Sequence, residues 1–255
     1  MAKYDFPTEV IDLPSKGKPY PESSPLSKGS VEIKYMTAKE EDILSSQNLI
    51  RKGVVLDKLF ESVIVDDGID IGDILIGDKN AILLATRILG YGADYQVEVT
   101  DPFTLETQKV NIDLSKVQTK EIDDKLVSKD NTYSFTLPTL KTEIVFKLLS
   151  HKDEKDINAE IASLQRLTKS EVNQEVSTRL RYMILKVGEN EDRGFINKWV
   201  KNNLLARDSR ALRKYIKEIS PDLDLKYEFT SDITGETEAL DIPFGVGFFY
   251  PSEWL

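Results

Sequence analysis

The sequence predicts an α+β fold, with helical bundle segments combined with antiparallel hairpins. Three observations carry that expectation. Apolar residues recur at three- and four-residue spacing along several stretches, the period of helices with one buried face. Between them lie short alternating segments closed by turn residues, the pattern of hairpins. The 255 residues are 40% apolar and 31% charged, a balance that supports a proper core and excludes a disordered chain.

Residues 1–30 hold Pro7, Pro14, Pro19, Pro21 and Pro25, with Gly17 and Gly29. Proline fixes φ and removes a donor, so an extended Pro-rich arm is expected. It reads either as a free tail or, through Tyr4, Phe6, Val10, Ile11, Leu13 and Tyr20, as an arm lying on a partner. Residues 31–149 are expected to form an N-terminal α+β region. Val31–Tyr35 alternates as a strand. Thr37-Ala-Lys-Glu40 is a capping box opening a helix to about Ile50, which Gly53 breaks. A second helix buries Val55, Leu56, Leu59, Phe60, Val63 and Ile64. A third is capped by Asp78 and ends at Gly90 as its C-cap. Residues 94–114 read as a hairpin, and 131–149 as two strands around Pro138.

Residues 150–221 read as helical throughout. Thr168-Lys-Ser-Glu171 is a second capping box. Behind it Val172, Val176, Leu180, Met183, Ile184 and Val187 share a helical period. Phe195, Ile196, Trp199 and Val200 form the next face. Leu212, Tyr215, Ile216 and Ile219 form the last, capped by Asp208 or Ser209 and stopped by Pro221. Residues 222–255 return to a hairpin and end in the aromatic tail GFFYPSEWL, expected to pack back on the N-terminal region.

An internal repeat stands out. Residues 97–114, VEVTDPFTLETQKVNIDL, align without gaps on 227–244, YEFTSDITGETEALDIPF. Glu98/Glu228, Thr100/Thr230, Thr104/Thr234, Glu106/Glu236, Thr107/Thr237 and Ile112/Ile242 are identical pairs. Each copy is strand, tight polar turn, strand. Thr100 and Phe103, and Thr230 and Ile233, fall where a zinc ribbon carries its ligand pairs. None of the four is a zinc ligand, so Phe103 and Ile233 are expected to hold such a ribbon by apolar contact, without metal.

Candidate chemistry is sparse. With no cysteine and the single histidine His151, disulfides, thiolate nucleophiles and cysteine zinc sites are excluded. Gly90-Tyr-Gly92 follows a helix, the wrong order for a dinucleotide loop. Asp66–Asp73 fails the EF-hand register and reads as a solvated loop. His151 reads as a surface residue. A pair of carboxylates could still meet in space and act as acid and base, although no spacing nominates one. No catalytic residue, cofactor or metal ligand is therefore assigned. The net charge of −10 disfavours nucleic acid as the main partner. Arg207, Arg210, Arg213, Lys214 and Lys217 form a basic stripe that suits a solvated face or an acidic partner segment better than the alternative, a DNA contact in a DNA-associated adaptor. Phe248, Phe249, Tyr250 and Trp254 are candidate partner-binding residues alongside Arg207, Arg210 and Arg213. No run is apolar enough to span a membrane and the N-terminus lacks a signal-peptide core, so a cytoplasmic protein, or one carried in a particle assembled there, is expected.

The ordered segments LPSKGKPYP, VEIKYMTAKEEDILSSQNLIRKGVVLDKLFESVI, GDKNAILLATRILGYGADYQVEV, RDSRALRKYIKEISPDLDLKYEF and FFYPS resemble the T4-type phage baseplate hub assembly proteins. The resemblance runs from about Leu13 to Pro251. It implies a role in building the central hub of a contractile tail, as a structural subunit or as an assembly chaperone absent from the virion. The implied partners are other hub proteins or the tape-measure protein. The implied place is the host cytoplasm during assembly and then the tail baseplate. It also implies cysteine pairs in the two hairpins of relatives, from which this chain departs at Thr100, Phe103, Thr230 and Ile233.

Overall fold

The computed structural model describes residues 7–123, 125–168, 174–244 and 246–249. The fold is α+β: eight helices and four small antiparallel sheets among the described residues.

Strand β1 (Thr8–Asp12) pairs with β2 (Ser30–Lys34), Thr8 opposite Lys34 and Asp12 opposite Ser30. The loop between them turns back on the body and buries Leu13, Tyr20 and Leu26. The described part of the expected arm is thus folded onto its own chain; Tyr4 and Phe6 lie outside the described residues. Pro14 and Pro19 sit in turns and Pro25 opens a short 3-10 segment, Pro25–Lys28, and burying Leu13, Tyr20 and Leu26 offsets the ordering cost.

Helix α1 (Ala38–Ser45) opens on the Thr37 capping box, as the sequence predicts. It stops at Ser46, whose extended backbone separates it from α2 (Gln47–Lys52), so the expected single helix is two pieces. Gly53, at φ 68°, ends the second piece. Helix α3 (Val55–Val63) buries Val55, Leu59, Phe60 and Val63 as expected.

Helix α4 (Ile76–Tyr91) differs at both ends from expectation. Its N-cap is Leu75 and its C-cap Gly92, at φ 83°. Asp78 lies inside the first turn, where a carboxylate meets the positive end of the helix dipole, and Gly90 is still helical.

Strands β3 (Asp94–Thr100) and β4 (Thr107–Asp113) form the first hairpin. Strands β5 (Tyr133–Thr136), β6 (Glu143–Phe146) and β7 (Ile184–Val187) form one sheet in that order. Strand β7 corrects the helical reading of Ile184 and Val187. Helix α5 (His151–Thr168) is followed by α6 (Glu175–Met183), and α6 ends where Ile184 turns extended. Ile184 then pairs with Phe146. A β-branched residue at a helix end gains more from this sheet than from another turn. Most of the second capping box, Lys169–Glu171, and Val172 lie outside the described residues.

Helices α7 (Arg193–Asn202) and α8 (Ala206–Ile219) complete the helical part, and β8 (Lys226–Thr230) with β9 (Thr237–Asp241) makes the second hairpin. Neither Asp208 nor Ser209 caps α8; its N-cap is Leu205. Asp208 is fully buried and accepts from the amides of Thr139 (2.7 Å) and Leu140 (3.1 Å), fastening the β5–β6 turn to α8. One continuous apolar core runs from Leu13 through Phe60, Ile82 and Phe146 to Phe249.

The Glu40 of the capping box is itself buried and yields a testable pH dependence. Burial alone would raise its pKa. The hydroxyls of Ser62 and Thr37, the Thr37 amide at 2.8 Å and the Lys34 ammonium at 3.6 Å outweigh that and lower it from 4.5 to about 2. A carboxylate with a depressed folded pKa stabilises the fold above its unfolded pKa, and loses that contribution as pH falls toward the folded one. Glu40→Gln is expected to lower stability by about 1–3 kcal/mol at pH 7. The gap to the unsubstituted protein should close between about pH 4.5 and 2. Urea unfolding of both proteins across that range checks the sign.

Candidate functional site

The two repeated hairpins lie side by side, and their turns carry equivalent hydrogen bonds. In the first, Asp101 N donates to Glu106 O (2.8 Å) and Leu105 N to Asp101 O (2.8 Å). In the second, Ser231 N donates to Glu236 O (2.9 Å) and Gly235 N to Ser231 O (2.9 Å). Asp101 Oδ1 accepts from the amides of Phe103 and Thr104, and Ser231 Oγ from those of Ile233 and Thr234. Thr100 faces Thr107 and Thr230 faces Thr237 in the same register.

Three side-chain bonds join the copies. Ser231 Oγ donates to Asp101 Oδ2 at 2.5 Å. Gln108 bridges, its Nε2 donating to Thr230 O (2.9 Å) and its Oε1 accepting from Asp232 N (3.0 Å). Asp101 and Ser231 are buried at this junction. Burial opposes the Asp101 charge, but the Ser231 hydroxyl and the two turn amides hold its carboxyl below the usual range.

This corrects the ribbon expectation by one residue. The side chains meeting between the hairpins are Asp101 and Ser231, rather than those of Thr100, Phe103, Thr230 and Ile233. Phe103 and Ile233, expected to close the ribbon by apolar contact, are instead 38% and 62% exposed at the tips. Beside them Leu105 is 79% exposed and adopts φ 62°, the left-handed conformation that Gly235 takes in the other copy. The gap-free alignment already set Leu105 opposite Gly235, and that was the available signal.

The acidic character of the chain is concentrated here. Residues 94–113 and 226–241 carry ten carboxylates and two lysines. Residues 193–219, covering α7 and α8, carry eight basic side chains and two acidic ones. Arg207, Arg210, Arg213, Lys214 and Lys217 are all exposed, on one side of α8.

The other candidates are structural ties. Asp78 is buried and accepts from Ser15 N (2.9 Å), Ser15 Oγ (2.7 Å) and Tyr20 OH (2.5 Å), which fastens the N-terminal loop to α4. Burial raises the Asp78 pKa despite these bonds, and burial beside Asp78 pushes the Tyr20 phenol far above its usual value. A cavity of about 250 Å³ touches Asp78 and Asp222. Both Asp78 oxygens are already engaged, and Asp222 Oδ1 accepts from Asn80 at 3.0 Å. His151 is not a surface residue: its side chain is 12% exposed, with Nε2 at 2.5 Å from Asp57 Oδ1 and Phe60 edge-on to its ring. It staples α3 to α5, and Lys155 closes on the same carboxylate. Among the described residues, no group of three or more His, Cys, Asp and Glu side chains is placed to hold a metal ion.

Phe248 and Phe249 are 1% exposed and packed in the chain's own core. Phe248 meets Tyr95 at 4.9 Å and Phe244 at 4.6 Å between ring centroids. The buried Arg87 secures this segment, donating to Phe248 O (3.1 Å), Gly92 O (3.0 Å) and Asp94 O (3.3 Å). These two rings are therefore core residues and not surface contacts. Tyr250 and Trp254 lie outside the described residues.

These features define a class: an α+β protein whose buried polar groups tie segments together and whose twin hairpins expose Phe103, Leu105 and Ile233 at their tips. The family model described as T4 bacteriophage base plate protein matches residues 6–178, more than half of the chain, and the chain belongs to that family. No curated protein and no solved structure matches it. No described helix is long and apolar enough to cross a membrane.

Proposed function

We propose that this chain is a non-enzymatic structural subunit of the baseplate hub, assembled in the host cytoplasm and retained in the virion tail. Membership of the base plate family carries the reading. The described surface supports it: the large apolar side chains it exposes include the hairpin tips, and charge is segregated between the hairpins and α7–α8. Such features suit lasting contacts with neighbouring proteins. A chaperone for the tape-measure protein would instead need an apolar groove long enough to mask an amphipathic partner.

Co-expression with the other hub proteins and the tape-measure protein, followed by mass spectrometry of mature particles, separates these roles. The expected result is co-purification with a hub protein and stoichiometric presence in the particle. Co-purification with the tape-measure protein and absence from the particle would replace the subunit reading with the chaperone one. Binding to none of them would overturn both.

A further inference from the structure

We propose that the paired hairpin tips dock onto the basic face of α8 in a second copy of this chain, giving head-to-tail self-association. The argument starts at Leu105. A leucine at φ 62° strains its backbone, and the equivalent turn in the other hairpin relieves the same position with Gly235. Its side chain gains nothing in return within the chain, being 79% exposed. Phe103 and Ile233 crown the same paired tips, so three large apolar side chains stand together on two rigidly joined turns. A cluster of this kind on a pre-organised support is the anatomy of an interface anchor.

Charge selects the occupant. Glu106, Asp232 and Glu236 lie in the two turns and Glu98, Glu228 and Glu238 on the strands that lead to them, and the two hairpins together carry a net −8. A matching surface must be basic. The chain has one: α7–α8 carries a net +6, with Arg207, Arg210, Arg213, Lys214 and Lys217 exposed on one side of α8 and Leu205 exposed at its start. Among the described residues, no ion pair joins this face to the hairpins within one copy. Both surfaces are thus available to another molecule. Because they differ, the contact is heterologous and propagates into a ring or an open chain. Local complementarity outweighs the overall charge of −10, since distant charges are screened beyond about 8 Å at physiological salt.

The test uses the full chain alone, so it can fail without touching the baseplate assignment. Sedimentation velocity over a concentration series should show the wild type associating reversibly. A tip variant, Leu105→Gly with Ile233→Ser, should associate at least about tenfold more weakly. Its thermal unfolding should stay unchanged or rise, because glycine relieves the left-handed position. A stripe variant, Arg207→Glu with Arg210→Glu, should weaken association similarly. Mixed one to one, the two should form a heterodimer that grows no further, since the tip variant keeps an intact stripe and the stripe variant an intact tip. A wild type that remains monomeric up to the order of 100 μM, variants that associate as tightly as the wild type, or a mixture that stays monomeric would each overturn the proposal.

Discussion

Gly77→Ala is expected to destabilise the protein by about 3 kcal/mol or more, although it places a better helix former inside a helix. On propensity alone the change would stabilise α4 by about 1 kcal/mol. The structure reverses the sign. A Cβ at Gly77 would lie 1.8 Å from Pro221 O and 2.9 Å from Asp222 Cα, and these are backbone atoms of the segment leaving α8. That segment cannot yield locally. Asp222 O accepts from Lys120 N at 2.9 Å and its carboxylate from Asn80 at 3.0 Å. The methyl group would therefore pry α8 and the second hairpin from α4. The control is Gly90→Ala in the same helix. Its Cβ would meet Met36 Cε, the end of a flexible side chain, at 2.0 Å. That methionine can swing away, so a change within about 1 kcal/mol is expected. Urea midpoints of the two variants check the contrast, and equal stabilities would show that the Pro221 crossing is not tight.

Phe248→Ala is expected to cost about 3–5 kcal/mol, the range for emptying a fully buried aromatic site. The ring lies among Tyr95, Phe244 and Phe249, and its carbonyl is held by Arg87. Loss of the ring leaves a cavity beside a buried guanidinium, whose bonds to Gly92 and Asp94 fix the entry to the first hairpin. Unfolding should therefore be accompanied by loosening of β3 and β4, which amide hydrogen exchange reads directly. A residue acting only in partner binding would leave the isolated chain's stability unchanged. A midpoint shift under about 0.5 kcal/mol would thus restore Phe248 to the partner-binding set.

Family membership was legible in the order of short segments, and the family match covers the first three of the five, ending at residue 178. The charge stripe on α8 was legible too, because Arg207, Arg210, Arg213, Lys214 and Lys217 fall on one helical face by spacing alone. The tips were half legible. The repeat aligned the turns, but the zinc-ribbon comparison set the junction at Thr100 and Thr230. In an antiparallel hairpin a shift of one residue exchanges the buried and exposed sides. Only the bonds from the Phe103 and Thr104 amides to Asp101 fix which residue turns inward.

What the sequence by itself determined is what neighbours along the chain decide. Thr37 and Glu40 close a capping box three residues apart, Gly53 ends a helix, α3 buries a face at helical period, and the two six-residue turns share one geometry. Each rests on interactions spanning a few residues, so composition and spacing carry them. The tertiary structure decided what distant residues do to one another. It folded the proline-rich arm under Asp78, turned Ile184 from helix to strand against Phe146, and drew His151 inward to Asp57. It also placed Pro221 against Gly77 and took Phe248 into the core. In each case the partner lies tens of residues away or more, and burial next to that partner outweighed the local preference.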